Sequence, residues 1–310
     1  MAEKQRVSIK GNRKNKALAE HAAEAVFTVC ALLAVAAVAS ITVYMIINGT
    51  PALFKVGIRE ILFGTVWQPA AKDPSFGILY VILTSIVGTT AAVLLGAPVG
   101  ILTAVFIEEI ASPRLAAVVK PAVELLAGIP SVIYGLLGIY LLNPLMYKLE
   151  IALFADAPDH QFTGGANLIS AILVLAVMIL PTVINVTVSA LHAVPKQQRA
   201  ASLAMGATRI QTIFRVLLPS ARSGIAAAVV LGTGRAIGEA MAITLVSGSS
   251  VNMPLPFNSV RFLTTAIVAE MGYAAGLHRQ VLFTIGLVLF VFIMFINISL
   301  TRILKGREDS

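Results

Sequence analysis

Charge is scarce in this sequence. Asp, Glu, Lys and Arg make up only 12% of its 310 residues, about half the share found in soluble domains. Aromatic residues reach only 7%, so the 58% hydrophobic content rests mainly on Ala, Val, Leu and Ile. That composition excludes an ordinary soluble domain and suits bundled membrane helices. There is one cysteine, Cys30, so no internal disulfide forms; its place in the first apolar run marks it as a packing residue. The chain lacks GxxxxGK[ST], HExxH, CxxC and GxSxG, and its GTGRAIG has the wrong glycine spacing for a dinucleotide loop. These absences argue against an enzyme, a nucleotide site and a metal site. The formal net charge of +8 gathers at the ends of apolar runs, which points to orientation in a membrane rather than to nucleic acid.

What is present is a series of long apolar runs. A helix needs about 20 apolar residues to cross the hydrocarbon. Six segments meet that length: 24–47, 76–107, 115–142, 167–191, 223–247 and 279–303. The fold class is therefore all-α, a polytopic bundle of six spans, with a bend expected near Pro98 in the second. The basic stretch 1–23 precedes a retained first span rather than a cleaved signal, and 24–75 holds that span and an outer loop. The core runs over 76–303, and 304–310 is a tail. Sixteen Lys and Arg lie on the side of the two termini and six on the other, with Arg235 alone inside a span. The richer side, with both termini, is expected in the cytoplasm. The outer loops 48–75, 143–166 and 248–278 are rich in Pro, Gly and Asn. Segment 192–222, on the cytoplasmic side, is longer than a simple connection requires.

Three stretches carry functional signal. In 199–224, small residues Ala200, Ala201, Ser202, Ala204 and Gly206 suit a short helix that another protein can approach closely, with Gly206 turning the chain. Ile210, Ile213, Phe214 and Leu217 follow at helical spacing, and Leu218-Pro219 closes the unit. In 125–138, Pro130 interrupts a span next to Gly128; such breaks survive in lipid only under cover of protein or beside a water-lined cavity. Ser131 and Tyr134 are candidates to line a pathway there. In 232–241, Arg235 and Glu239 are four residues apart in the fifth span. Arg235 lies roughly 18 Å along it, near mid-membrane. Read as one helix, the two share a face with the small or apolar Ala228, Gly232, Ala242 and Val246, which leaves room for a second helix or a ligand. Each charge alone costs at least about 2.5–3.5 kcal/mol there. A mutual salt bridge is one explanation. The other is an oxyanion held by the guanidinium, with Glu239 accepting the proton of hydrogen phosphate or balancing Arg235 in the empty state. Elsewhere Glu108, Glu109 and Arg114 read as solvated charges, Lys120 and Glu124 as an interfacial pair, and His192 as polar surface.

Aligned on Gly206, the segment Ala200, Ala201, Ser202, Gly206, Val216, Leu218, Pro219 has the spacing of the coupling loop of ABC-importer permeases. Ala200 stands where that loop usually has Glu, which removes one polar contact with the ATPase. GIPSVIYG from Gly128 and GRAIGEAMAITLVSGSS from Gly234 resemble the PstC family of phosphate-importer permease subunits, with Ala240 in place of the usual Thr after the Glu. The resemblance spans most of residues 76–303. It implies a type I (MetI-like) permease fold, and a phosphate pathway at Arg235 and Glu239. It also implies partners: a PstA-like sister permease, two PstB-like ATPase subunits that use ATP and magnesium, and a PstS-like extracytoplasmic phosphate-binding protein. No cofactor is expected on this chain. A permease for phosphonate or another oxyanion, a gradient-driven secondary anion transporter, and a membrane scaffold are the rival readings.

Overall fold

The computed structural model describes residues 13–158 and 160–305. The basic residues Lys4, Arg6, Lys10 and Arg307 lie outside them. The chain divides into two compact units, 1–48 and 49–310. The first, as described, is the body of one helix, α1 (Arg13–Ala52). Apolar side chains of this unit, among them Phe27, Leu32 and Leu33, are exposed, as is Cys30.

The second unit is helical apart from its connections and a two-stranded antiparallel ribbon, β1 (Trp67–Gln68) and β2 (Ser75–Phe76), which follows α2 (Ile58–Phe63). Then come α3 (Leu79–Val105), α4 (Pro113–Gly128), α5 (Ser131–Leu137), α6 (Asn143–Phe154) and α7 (Leu168–His192). Short helices α8 (Lys196–Ala204), α9 (Arg209–Thr212) and α10 (Leu218–Ser220) lead to α11 (Arg222–Gly238) and α12 (Met241–Val246); α13 (Leu263–Glu270) and α14 (Gly276–Lys305) complete the order. Four π-helical segments, Leu53–Gly57, Phe106–Ile110, Gly138–Leu142 and Ile213–Leu217, interrupt the regular helices.

Among the described residues, five helical stretches are long and apolar enough to cross a membrane: Glu20–Phe63, Leu79–Ile110, Ser131–Phe154, Leu168–His192 and Gly276–Ser299. A sixth is reached if Arg209–Ser220 and Arg222–Gly238, bent by 71°, count as one span. Three expectations shift. The third span is not 115–142: the chain breaks after Gly128 and the crossing helix runs 131–154, so α6 fills residues assigned to the outer loop. The second span is assigned as continuous helix through Pro98 and ends in the π-helical turn at 106–110. The fifth span stops at Gly238 and restarts at Met241.

α7 is the hub. α3 presents a buried stripe of small residues to it at every fourth position: Gly88, Ala92, Gly96, Gly100 and Ala104. Four residues is just over one turn, so the stripe stays on one face. At Gly96 an added Cβ would sit 2.8 Å from the carbonyl oxygen of Ala176 and from Ile179, and at Gly100 2.8 Å from Val183. Close backbone approach of this kind drives helix association where lipid is as apolar as the side chains. Ala228 and Gly232 of α11 are buried too, Gly232 against Val183 of α7. The small-residue face read around Arg235 is therefore filled by a neighbouring helix.

Gly96→Val is expected to destabilise the purified protein by about 1–3 kcal/mol, the usual range for overpacking. Gly128→Ala, where nothing lies within 4 Å of the added carbon, should change it by no more than about 0.5 kcal/mol. Thermal unfolding in detergent compares the two.

Candidate functional site: two broken helices and a coupling loop

The site is built on two helix breaks. At the first, α4 ends at Gly128, Ile129 and Pro130 are extended, and α5 begins at Ser131. Pro130 has no N–H to continue the ladder. The Tyr134 hydroxyl donates to the Leu126 carbonyl at 2.7 Å, reaching across the break to join the Ile129 N–H at 3.3 Å on that carbonyl. Tyr134 is buried, whereas Ser131 is half-buried. At the second break, α11 ends at Gly238, and Glu239 takes an extended conformation. Its carboxylate accepts the Ala242 N–H at 2.9 Å, capping α12, and its carbonyl accepts the Thr264 hydroxyl at 2.7 Å.

The two breaks lie at one level. α5 and α12 run side by side in the same direction, with Gly135 against Ala242 and Gly138 against Val246. That register sets Pro130–Ser131 beside Gly238–Glu239. Discontinuous backbone side by side inside a membrane bundle is the arrangement tolerated where protein covers it or it lines a cavity.

Arg235 sits three residues before the second break. Its guanidinium donates to the Thr182 hydroxyl of α7 at 3.2 Å and lies within electrostatic reach of the Tyr134 ring. Thr182 stands ten residues from the end of α7 at His192, about 15 Å along the helix, so the guanidinium is deep in the bundle. Arg235 and Glu239 do not share a helical face, because the helix ends between them. Among the described residues no carboxylate lies within ion-pair distance of Arg235. Thr182 escaped the sequence reading; a lone Thr after Pro181 in an apolar helix carries no signal until α11 is laid against it.

The segment expected to be the coupling loop, residues 199–219, is a compact unit at one end of the bundle. α8 carries Ala200, Ala201 and Ser202; Gly206 turns the chain at φ +83°; Thr208 and Gln211 form a reciprocal cap on α9. The Ser202 and Thr212 hydroxyls meet at 2.9 Å and hold α8 against α9. The apolar residues around and after Gly206 divide. Ile213 and Leu217 are buried with Val105, Leu191 and Ala221, whereas Met205, Ile210 and Phe214 are exposed. Val216 and Leu218 are half-buried and Pro219 is exposed just before α11. Buried residues seat the loop on α3 and α7; exposed ones leave an apolar face.

The charges beneath this loop are not the solvated groups expected from sequence. Glu108 accepts from Lys120 of α4 at 3.0 Å and pairs with His192 of α7 at 2.8 Å. Glu109 is buried and ion-paired to Arg199 of α8, and its backbone carbonyl accepts from Arg209 of α9. Lys120 thus pairs with Glu108 rather than with Glu124, and His192, an exposed polar residue as expected, also meets Glu108. The partners are distant in sequence, so helical spacing could not reveal them.

The sequence profile of the binding-protein-dependent transport system inner membrane component family matches residues 96–308. The chain belongs to that family. The permease is 38% identical over 302 residues to the probable ABC transporter permease protein YqgH of Bacillus subtilis, covering 96% of this chain and 94% of that protein. It is 32% identical to the phosphate transport system permease protein PstC of Pasteurella multocida, over 78% of each chain. It is 31% identical to the probable PstC of Methanocaldococcus jannaschii, over 81% and 82% of the two chains. An inward-facing structure of the MetNI methionine ABC transporter shares the fold, with TM-score 0.52 and 24% identity over 74% of this chain and 94% of that one. The permease is thus a multi-pass plasma-membrane protein of MetI-like architecture. It is a channel component and not an enzyme, the ATPase and the substrate-binding protein being separate members of such importers.

Gly206 holds a backbone conformation that costs a residue with a side chain about 1–2 kcal/mol. Gly206→Leu is expected to leave the permease in the membrane but to raise the ATP hydrolysed per solute imported by the assembled transporter, measured in proteoliposomes.

Proposed function

We propose that this permease imports inorganic phosphate, pairing with a PstA-like subunit above two PstB-like ATPases and receiving its solute from a PstS-like binding protein. The coupling loop then faces the cytoplasm, as the excess of basic residues on its side favours. ATP and magnesium act at the PstB-like pair. The observation that carries the reading is Arg235. It is a permanent positive charge, half-buried well along its helix near the break at Glu239, hydrogen-bonded to a neutral hydroxyl and, among the described residues, to no carboxylate. A structural salt bridge would have neutralised it. A guanidinium left with donors to spare suits a tetrahedral oxyanion. The similarity to PstC proteins supports phosphate as that anion.

Glu239 refines the choice. One carboxylate oxygen caps α12. The other is in position to accept the O–H of hydrogen phosphate, which sulfate lacks. Residues 199–219 take up the closure of the ATPase pair, and α11, directly continuous with them, carries the movement to Arg235. Alternating access follows if the two end states differ in affinity for the anion.

Reconstituted permease with its partners should take up labelled phosphate when ATP is supplied and not when only an ion gradient is imposed. Arg235→Ala should lower uptake by about 10–100-fold, the worth of a charge-assisted hydrogen bond of about 1.5–3 kcal/mol. Glu239→Gln should weaken phosphate uptake and relax the rejection of sulfate. Uptake driven by a gradient alone, or Glu239→Gln with unchanged uptake and unchanged sulfate rejection, contradicts the assignment.

A further inference from the structure

The inner end of α3 makes contacts that neither the pathway nor the coupling loop requires by itself. Its last turn is the π-helical segment Phe106–Ile110, which bears adjacent glutamates. π-Bulges are energetically unfavourable and recur at functional positions. Glu109 is 4% exposed, and its carboxylate is ion-paired to Arg199, at the start of the coupling motif on α8. Its carbonyl accepts from Arg209 on α9, beyond the Gly206 turn. One residue of α3 therefore holds both arms of the coupling loop. Glu108 beside it collects Lys120 of α4 and His192 of α7.

We infer that Glu109 is a positioning residue for energy coupling: it locks the coupling loop to α3, so that a push on the loop moves α3 along with α11. The covalent route, through α10 into α11, reaches only the helix that carries Arg235. The route through Glu109 reaches the helix that packs on α7 along the small-residue stripe, and Glu108 extends it to α4, which ends at the Gly128–Pro130 break. Both breaks are then driven from one loop. A buried carboxylate paired to arginine is costly to place and costly to leave half-made, which suits a joint that must not slip under load. Ala200, standing where related loops carry Glu, leaves Arg199 as the charged group at the head of the motif.

The inference deepens the import reading, and its test separates the two. In the full transporter, with Cys30→Ala, spin labels are placed at Leu102→Cys on α3 and Gln197→Cys on α8, both exposed positions. Their separation should stay constant within about 2 Å between nucleotide-free and ATP-trapped states, less than a typical interface helix shift plus label spread. Glu109→Gln should make that separation change with nucleotide and should lower the phosphate imported per ATP about tenfold, within the range of coupling mutations. The exchange Glu109→Arg with Arg199→Glu should restore both. A nucleotide-independent separation in Glu109→Gln overturns the joint. If the parent transporter imports no phosphate, the solute assignment fails, while the label separation still decides the role of Glu109.

Discussion

Lipid offers no partner to a backbone N–H or carbonyl, and this molecule interrupts its backbone twice at one depth. That constraint orders the rest. Each break has to be closed by protein, and the closures differ. At Pro130 a tyrosine hydroxyl from the next turn reaches back to Leu126. At Glu239 the side chain caps the following helix, and Thr264 satisfies the exposed carbonyl. Neither closure survives unless α5 and α12 are pressed against α7 and each other. The packing that presses them depends on the missing side chains of Gly135 and Gly138, and of Gly96 and Gly100 on α3.

Within that packed frame the charges divide by depth. Arg235, half-buried well along α11, has a neutral partner in Thr182. At the other end Glu108 pairs with Lys120 and His192, and Glu109 with Arg199. An unpaired charge is expensive in the bundle centre, and retaining one there is consistent with a ligand that completes it. Saturated charges at the end hold segments together. The same residue types thus serve opposite purposes, and geometry separates them.

Much was legible in the chain itself. The apolar runs are long, and a run of about 20 has few fates, so the spans emerged with their order. Pro130 and Gly206 announced a break and a turn, because neither effect depends on a distant residue. The short helix, the Gly206 turn and the helix after it in residues 199–219 were readable from residue type and spacing. What misled was the assumption that an apolar run is one helix. Residues 223–247 hide a break at Glu239 that no proline marks, and in 115–142 the break signalled by Pro130 ends one helix, so that the crossing helix runs on to 154. The pairing of Arg235 with Glu239 on one face followed from helical periodicity and fails with it. Lys120 with Glu124 failed for a different reason: Glu108 on another helix competes for the same cation.

Sequence by itself determined that this is a helical membrane protein, the order of its apolar runs, and that an arginine lies within one of them. Hydrophobic length and charge cost are properties of the chain and need no neighbour. Only the tertiary structure decided that Arg235 meets Thr182, that the two breaks stand side by side, and that Glu109 holds both arms of the coupling loop. Those facts join residues 53, 107 or 90 positions apart, which only helix packing brings within reach.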